Sequence, residues 1–266
     1  LQKICLMHGI EVDYYKKLFQ TAGNIIELIE KDDIPKYLLF LENVFPYMDN
    51  YNYQKGMKEI IQELKNFLKH KNIGTDSDRA LLLDFQATLE IKPEKAMKLE
   101  KDALALITEI TEDNAHLVSN LHSNLGGLYR MNGYPDLAME HIEKGLFLLE
   151  QYNLLYTHDG IPQATNYAMF LTEQQAPEKG ISVLQKLAKG IKEYNSDCCL
   201  DYATVQETLG TIYLMNADFS QAQTHFKRAF KVYEKIWADE PEMIEVKYQE
   251  IQELYLQFGF SIEKFN

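Results

Sequence analysis

Apolar residues along this 266-residue chain recur at i, i+3, i+4 and i+7, the spacing that gathers them on one face of an α-helix. No alternation of useful length marks a strand. The pattern predicts helix pairs near 33–49 and 53–70, 76–90 and 93–110, 114–132 and 135–152, 159–174 and 177–194, and 199–216 and 219–238. A last helix is expected near 241–258, and two or three lead-in helices over 1–31, broken around Gly9 and Ala22-Gly23. "NIGTDSD" (72–78) and "YTHDG" (156–160) read as turns between pairs.

The pairs are copies of one unit. "SNLGGLYRMNGYPDLAMEHIEKGL" aligns with "QETLGTIYLMNADFSQAQTHFKRAF", placing Leu125-Gly126 on Leu209-Gly210, Tyr129 on Tyr213, Ala138 on Ala222, Ile142 on Phe226 and Gly145 on Ala229. Every offset is 84, twice 42, and the midpoint copy holds Tyr167-Ala168, Leu171, Gly180, Leu184 and Leu187. One step back lie Leu83, Ala87, Ala96 and Ala103; one step forward lie Ile251, Tyr255 and Gly259. A weaker copy carries Tyr47, Tyr53, Gly56 and Ile60. Pro93, Pro135 and Pro177 share one phase, each followed by an acid, as suits the first turn of a helix. Gly126, Ala168 and Gly210 on first helices, and Ala138, Gly180 and Ala222 on second helices, are expected where two axes cross closely. A glycine inside a helix costs about 1 kcal/mol relative to alanine, so close packing must offset it. Gly145 and Ala229 are expected to let the next unit stack.

Composition narrows the function. The net charge is −13 with lysines interleaved among acids, so no basic face offers itself to nucleic acid or to an anionic membrane. No run of 18 apolar residues and no signal-peptide pattern are present. Cys5, Cys198 and Cys199 do not form a disulfide framework, and a reducing cytoplasm is expected. The opening "LQKICLMHG", without Met, reads as the interior of a longer chain. No phosphate loop, HExxH or nucleophile elbow occurs, so neither enzyme activity nor a cofactor or metal is expected. His122 falls at an interior phase and is expected in the core, and "THD" (157–159) lacks a third partner for catalysis. Trp237 is expected to pack under the final helix.

The pattern Leu-Gly-x-x-Tyr, then small residues on the second helix, resembles the tetratricopeptide repeat, well over 119–238, moderately over 77–110 and weakly over 37–70. The 42-residue period is similar to the subtype of kinesin light chains and bacterial peptide-sensing regulators. Asp84, Val44 and Glu63 depart from the small residues of the pattern. The resemblance implies an all-α fold, a solenoid of antiparallel helix pairs wound into an α-α superhelix over 32–266, preceded by lead-in helices over 1–31. Its units are placed near 37–70, 77–110, 119–152, 161–194 and 203–238, with a terminal helix over 241–258.

The resemblance also implies that first helices line a concave groove that holds a protein or peptide. The groove residues would be Asn120, Ser123, Asn124, Gly127, Arg130 and Met131, then Thr165, Asn166, Met169 and Glu173, then Glu207, Thr208, Thr211 and Met215, and last Gln249, Glu250 and Glu253. Asn124 and Asn166 could pin a peptide backbone or bridge adjacent helices. The methionines at one face fill core or suit an adaptable groove. The carboxylate clamp of chaperone-type repeats is missing, its places taken by Ser123, Gly127, Pro162 and Asn166. Glu173, Glu207, Glu250 and Glu253 favour a basic or amphipathic partner. Three functions stay open: the sensor or scaffold arm of a larger bacterial regulatory protein, a peptide-pheromone receptor domain, and a self-assembly scaffold. The final helix, with Leu256, Phe258 and Phe260, is a candidate homodimer surface.

Overall fold

The structure is a computed structural model that describes residues 21–49, 54–157, 160–194 and 197–260. The lead-in helices expected before residue 21, with their break at Gly9, lie outside the described residues, as do His158 and Asp159 of the expected turn. Residues 21–25 are helical, so the expected break at Ala22-Gly23 is not there. Ala22 is buried and its carbonyl accepts a hydrogen bond from Tyr37 Oη at 2.8 Å. Ala22 serves packing, and the chain instead loosens just after it, in 3-10 turns at Ile26–Leu28 and Lys31–Asp33.

All regular structure among the described residues is helical. The helices are α1 (Ile34–Asp49), α2 (Gln54–Lys71), α3 (Asp76–Thr88), α4 (Pro93–Leu106), α5 (Ala115–Met131), α6 (Pro135–Gln151), α7 (Gly160–Glu173), α8 (Pro177–Tyr194), α9 (Leu200–Met215), α10 (Phe219–Ile236) and α11 (Pro241–Gln257). The starts follow local chemistry. Pro93, Pro135, Pro177 and Pro241 open four of them, where a missing N–H costs nothing. Thr75 and Asp78 close a reciprocal capping box at α3, with Thr75 Oγ1 accepting from Asp78 N at 3.1 Å. Asp218 Oδ1 caps α10 by accepting from Gln221 N at 3.1 Å.

The ends repeat with the sequence. Gly133, Gln175, Ala217 and Gly259, spaced by 42, all have positive φ, at 77°, 61°, 58° and 79°. After each, the next amide bonds back to a carbonyl five residues earlier: Tyr134 to Tyr129, Ala176 to Leu171, Asp218 to Tyr213 and Phe260 to Tyr255, at 2.9 to 3.1 Å. This left-handed cap satisfies an orphan carbonyl, and after Gly133, Gln175 and Ala217 it leads the chain into the next helix.

The chain divides into two compact units between Gly145 and Leu146, inside α6. In the first unit, one core gathers Leu41 of α1, Ile61, Leu64 and Leu68 of α2, and Leu82 and Phe85 of α3; a smaller one joins Ala80, Ala103 and Leu121. In the second unit, Ala164, Leu184, Leu209, Val232 and Tyr233 belong to one core, and Phe226, Phe230, Tyr248, Ile251 and Tyr255 to another that seats α11.

Candidate docking surface

The place where two helices of a pair cross sets what each unit can present. A Cβ on Gly126 would stand 2.6 Å from Ile142 Cγ1, and one on Gly210 would stand 2.8 Å from the Phe226 ring. Here small and large side chains interlock, as the 42-residue phase leads one to expect. Ala168 and Leu184 hold the equivalent positions and are fully buried. Gly127 differs: a Cβ there would meet nothing within 4 Å, so packing does not require that glycine.

The α3–α4 pair replaces the interlock by chemistry. Asp84 stands in the phase of Gly126, and Glu100 in the phase of Ile142. Both are buried, Glu100 with 1% of its surface exposed, and their side chains hydrogen-bond to each other. Burial and then the Asp84 charge push Glu100 up to about 10, so it keeps its proton at neutral pH. Burial also raises Asp84, against hydrogen bonds from Glu100 and Asn124. Asn124 Nδ2 donates to Asp84 Oδ1 at 2.8 Å from α5. Thus Asn124 bridges adjacent helices in the structure.

A second polar device sits one step around the helices. His122 and His141 approach at 2.9 Å between Nδ1 atoms, one donating and the other accepting. His225 Nδ1 donates to Gln206 Oε1 at 2.9 Å in the equivalent phase of the second unit. Tyr129 lies 5.4 Å from the His141 ring, and Tyr213 lies 5.2 Å from the His225 ring. Burial first, then neighbouring positive charge, lowers His122 and His225 to about 4. His122 is half-buried and paired with His141 rather than enclosed in the core, whereas His225 is buried.

The remaining residues proposed for a groove divide between the units. In the first, Asn120 Nδ2 lies 3.3 Å from His116 Nε2 on its own helix, Ser123 is half-buried, Arg130 is exposed, and Met131 is 84% exposed. In the second, Asn166 and Glu173 are exposed, Met215 is 39% exposed, and Thr165 is buried with its hydroxyl donating to Pro162 O. Gln249 and Glu253 of α11 are exposed. Met169, Glu207, Thr208 and Thr211 converge on one pocket of about 420 Å³.

That pocket has walls from α7, α9, α10 and α11. Thr204, Thr208 and Thr211 donate their hydroxyls to carbonyls one turn back, so methyl groups and oxygen lone pairs remain for a ligand. Tyr233 and Trp237, stacked at 4.8 Å between ring centroids, form an aromatic wall. Trp237 thus joins the core of its unit and borders the pocket together with Lys247 of the last helix.

Glu207 accepts from Tyr233 Oη and pairs with Lys247 at 3.5 Å, while Lys247 also reaches Glu250 at 2.7 Å. Burial and the Glu207 charge raise the Tyr233 phenol. Burial opposes the Lys247 ammonium, but Glu250 and Glu207 outweigh it and raise its pKa. The acid-rich stretch expected from sequence therefore contains a cation held between two carboxylates. Lys247 was legible as an i, i+3 partner of Glu250. Tyr233 and Trp237 were not, because the repeat pattern assigns ligands to first helices and these two lie at the end of a second.

Among the described residues, no group of three His, Cys, Asp or Glu side chains could hold a metal ion, and no helix is long and apolar enough to cross a membrane. Cys199 caps α9, its sulfur accepting from Tyr202 N at 3.5 Å.

Comparison with known proteins follows the same lines. Residues 161–235 match the tetratricopeptide repeat family. Curated proteins gave no match. Among solved structures, BtubC (BKLC) from P. vanneervenii is similar at 17% identity and a TM-score of 0.54, over 85% of this chain and 84% of that one. A Podosopora anserina protein assigned as a kinesin light chain, with nearly identical TPR-like repeats, is similar at 14% identity and a TM-score of 0.58, over 76% of this chain and 98% of that one. The apo form of RapI is similar at 14% identity and a TM-score of 0.54, over 91% and 74%. At these identities the likeness is one of fold, and the fold is an all-α helical repeat.

Proposed function

We propose, from the premise that this chain carries tetratricopeptide repeats over residues 161–235, that it is a non-enzymatic module that docks a peptide or a segment of another protein. The carrying observation is the pocket of the second unit, where Met169, Glu207, Thr208 and Thr211 meet Tyr233, Trp237 and Lys247. Apolar walls with a few fixed polar groups suit a side chain entering from a partner. Lys247, the one cation lining the pocket, is held between Glu207 of the lining and Glu250 beside it, and the chain carries −13, so a basic or amphipathic segment is favoured. In this reading the module is the sensor or scaffold arm of a larger regulatory protein.

The narrower reading, a receptor for a short secreted peptide held at Asn120, Asn124 and Asn166, meets an obstacle in the first unit. The Asn124 amide is engaged by Asp84, and a ligand would have to displace a buried acceptor. This supports the second-unit pocket as the site.

Selection of a phage-displayed random peptide library on the immobilised chain tests the proposal. Trp237 is the one tryptophan in the sequence, so its fluorescence reports the pocket directly. An enriched peptide should shift its emission, and Thr208→Arg, which fills the pocket, should weaken binding by about ten-fold or more. Absence of any enriched peptide, or binding indifferent to Thr208→Arg, would overturn the proposal.

Self-assembly is a second reading, favoured by one surface. On and just beyond α11, Val246 is 49%, Leu256 62% and Phe258 40% exposed. Sedimentation of the parent and of Leu256→Asp decides it: a dimer dissociated by the substitution supports this reading, and a monomer at high concentration removes it.

A further inference from the structure

A pocket of about 400 Å³ in the first unit has the opposite electrostatic character. Its rim carries Lys65 and Lys69 of α2 and Arg79 of α3, and no carboxylate lines it. Three cations around one opening stand out in a chain of net charge −13. Its floor is aliphatic, with Leu82 and Leu68 buried in the core beneath and Leu83 and Leu106 half-buried at the surface. The pocket draws on the second helices α2 and α4 as well as α3, away from the first-helix face that the repeat pattern assigns to ligands.

The cations are incompletely neutralised. Lys69 makes no ion pair among the described residues, and Lys65 donates to a neutral acceptor, Gln86 Oε1, at 3.1 Å. Arg79 pairs with Asp76 at 2.9 Å while its second terminal nitrogen reaches Ile73 O at 3.4 Å. Lys69 near the end of α2 is favourable to the helix dipole. That accounts for neither Lys65 in mid-helix nor Arg79 in the opening turns of α3, where a positive charge faces the positive end of the dipole.

We propose that this pocket docks an acidic, leucine-bearing peptide segment of a partner protein. A carboxylate sits between Lys69 and Arg79, and the adjacent aliphatic side chain covers Leu83 and Leu106. Charge complementarity identifies the occupant: a basic segment meets three cations, and a purely polar one leaves the leucines wet. This site lies within the first unit, so the proposal stands or falls independently of the second-unit pocket.

The test is an NMR titration of the full ¹⁵N-labelled chain with the peptide Ac-Glu-Leu-Leu-Glu-NH₂, beside its mirror in charge, Ac-Lys-Leu-Leu-Lys-NH₂. Saturable shifts centred on the amides of Lys65, Lys69, Arg79 and Leu83 are expected with the acidic peptide, weakening as salt is added. Lys69→Glu, at an exposed position, should weaken binding roughly five-fold or more with an unchanged circular dichroism spectrum. Lys69→Gln replaces it if the charge reversal disturbs folding. Equal binding of the basic peptide, shifts centred elsewhere, or indifference to Lys69 would each overturn the proposal. So would sodium phosphate reproducing the same shifts at the same concentrations, which would make this a simple anion site.

Discussion

Asp84 and Glu100 show how one residue pair can take the place of a packing contact. Other pairs interlock glycine or alanine with a large apolar side chain, as Gly126 with Ile142 and Gly210 with Phe226. Here a carboxyl and a carboxylate share a proton in the interior, and Glu100 Oε2 has no hydrogen-bond partner. Replacing a buried polar pair by apolar groups that fit is often stabilising, whereas removing one partner leaves a buried charge. The double variant Asp84→Ala with Glu100→Leu, copying Ala168 and Leu184, should therefore be more stable than the parent by about 1–3 kcal/mol. Glu100→Leu alone should be less stable than the parent by about 2–4 kcal/mol. Urea unfolding of all four members of the cycle measures this.

The pH dependence has a definite sign. The folded-state pKa of Glu100 is raised, so its contribution is full below the ordinary carboxylate range and is lost progressively as pH rises toward about 10. Glu100→Gln should flatten that decline, seen in Tm measured between pH 5 and 9.

At the scale of elements, the turns within pairs carry a strain that their sequences conceal. Gly133 and Gly259 reach positive φ without cost, but Gln175 and Ala217 adopt the same geometry with side chains. A left-handed residue other than glycine costs roughly 1–2 kcal/mol, partly repaid in the unfolded chain, where glycine is freer. Ala217→Gly should accordingly stabilise the chain by about 0.5–1 kcal/mol, read as a rise in Tm, and Gly133→Ala should destabilise it by a similar amount. A fall in stability for Ala217→Gly would mean that this turn is not the left-handed cap seen here. The helices themselves were legible, because their apolar period and their prolines are local. The left-handed positions were legible at Gly133 and Gly259 alone, since glutamine and alanine carry no turn signal.

Across the whole molecule, each unit holds an imidazole kept neutral by its surroundings, half-buried at His122 and buried at His225. His122 and His225 both have folded pKa values near 4, below the ordinary value of 6.5. Their stabilisation is full above pH 6.5 and is lost as pH falls toward 4, because the unfolded chain takes up protons first. Thermal unfolding should therefore weaken through that window, and His225→Gln should remove part of the acid sensitivity. An acid profile unchanged by this substitution would assign the sensitivity to other groups. The charge of −13 adds long-range repulsion, so moderate salt should raise Tm near neutral pH.

The sequence by itself determined the helices, their 42-residue phase, and the close crossings at Gly126 and Gly210. All of these follow from local periodicity and from residue size, which act within one helix or one pair. Tertiary structure alone decided that Asn124 serves Asp84, that Glu100 holds a proton, that Tyr233 and Trp237 border the pocket of the second unit, and that Lys65, Lys69 and Arg79 surround another. Those facts depend on which side chains from separate helices come within a few ångströms. Hydrogen bonding, desolvation and Coulomb energy change steeply over that distance, and a one-dimensional pattern carries no record of it.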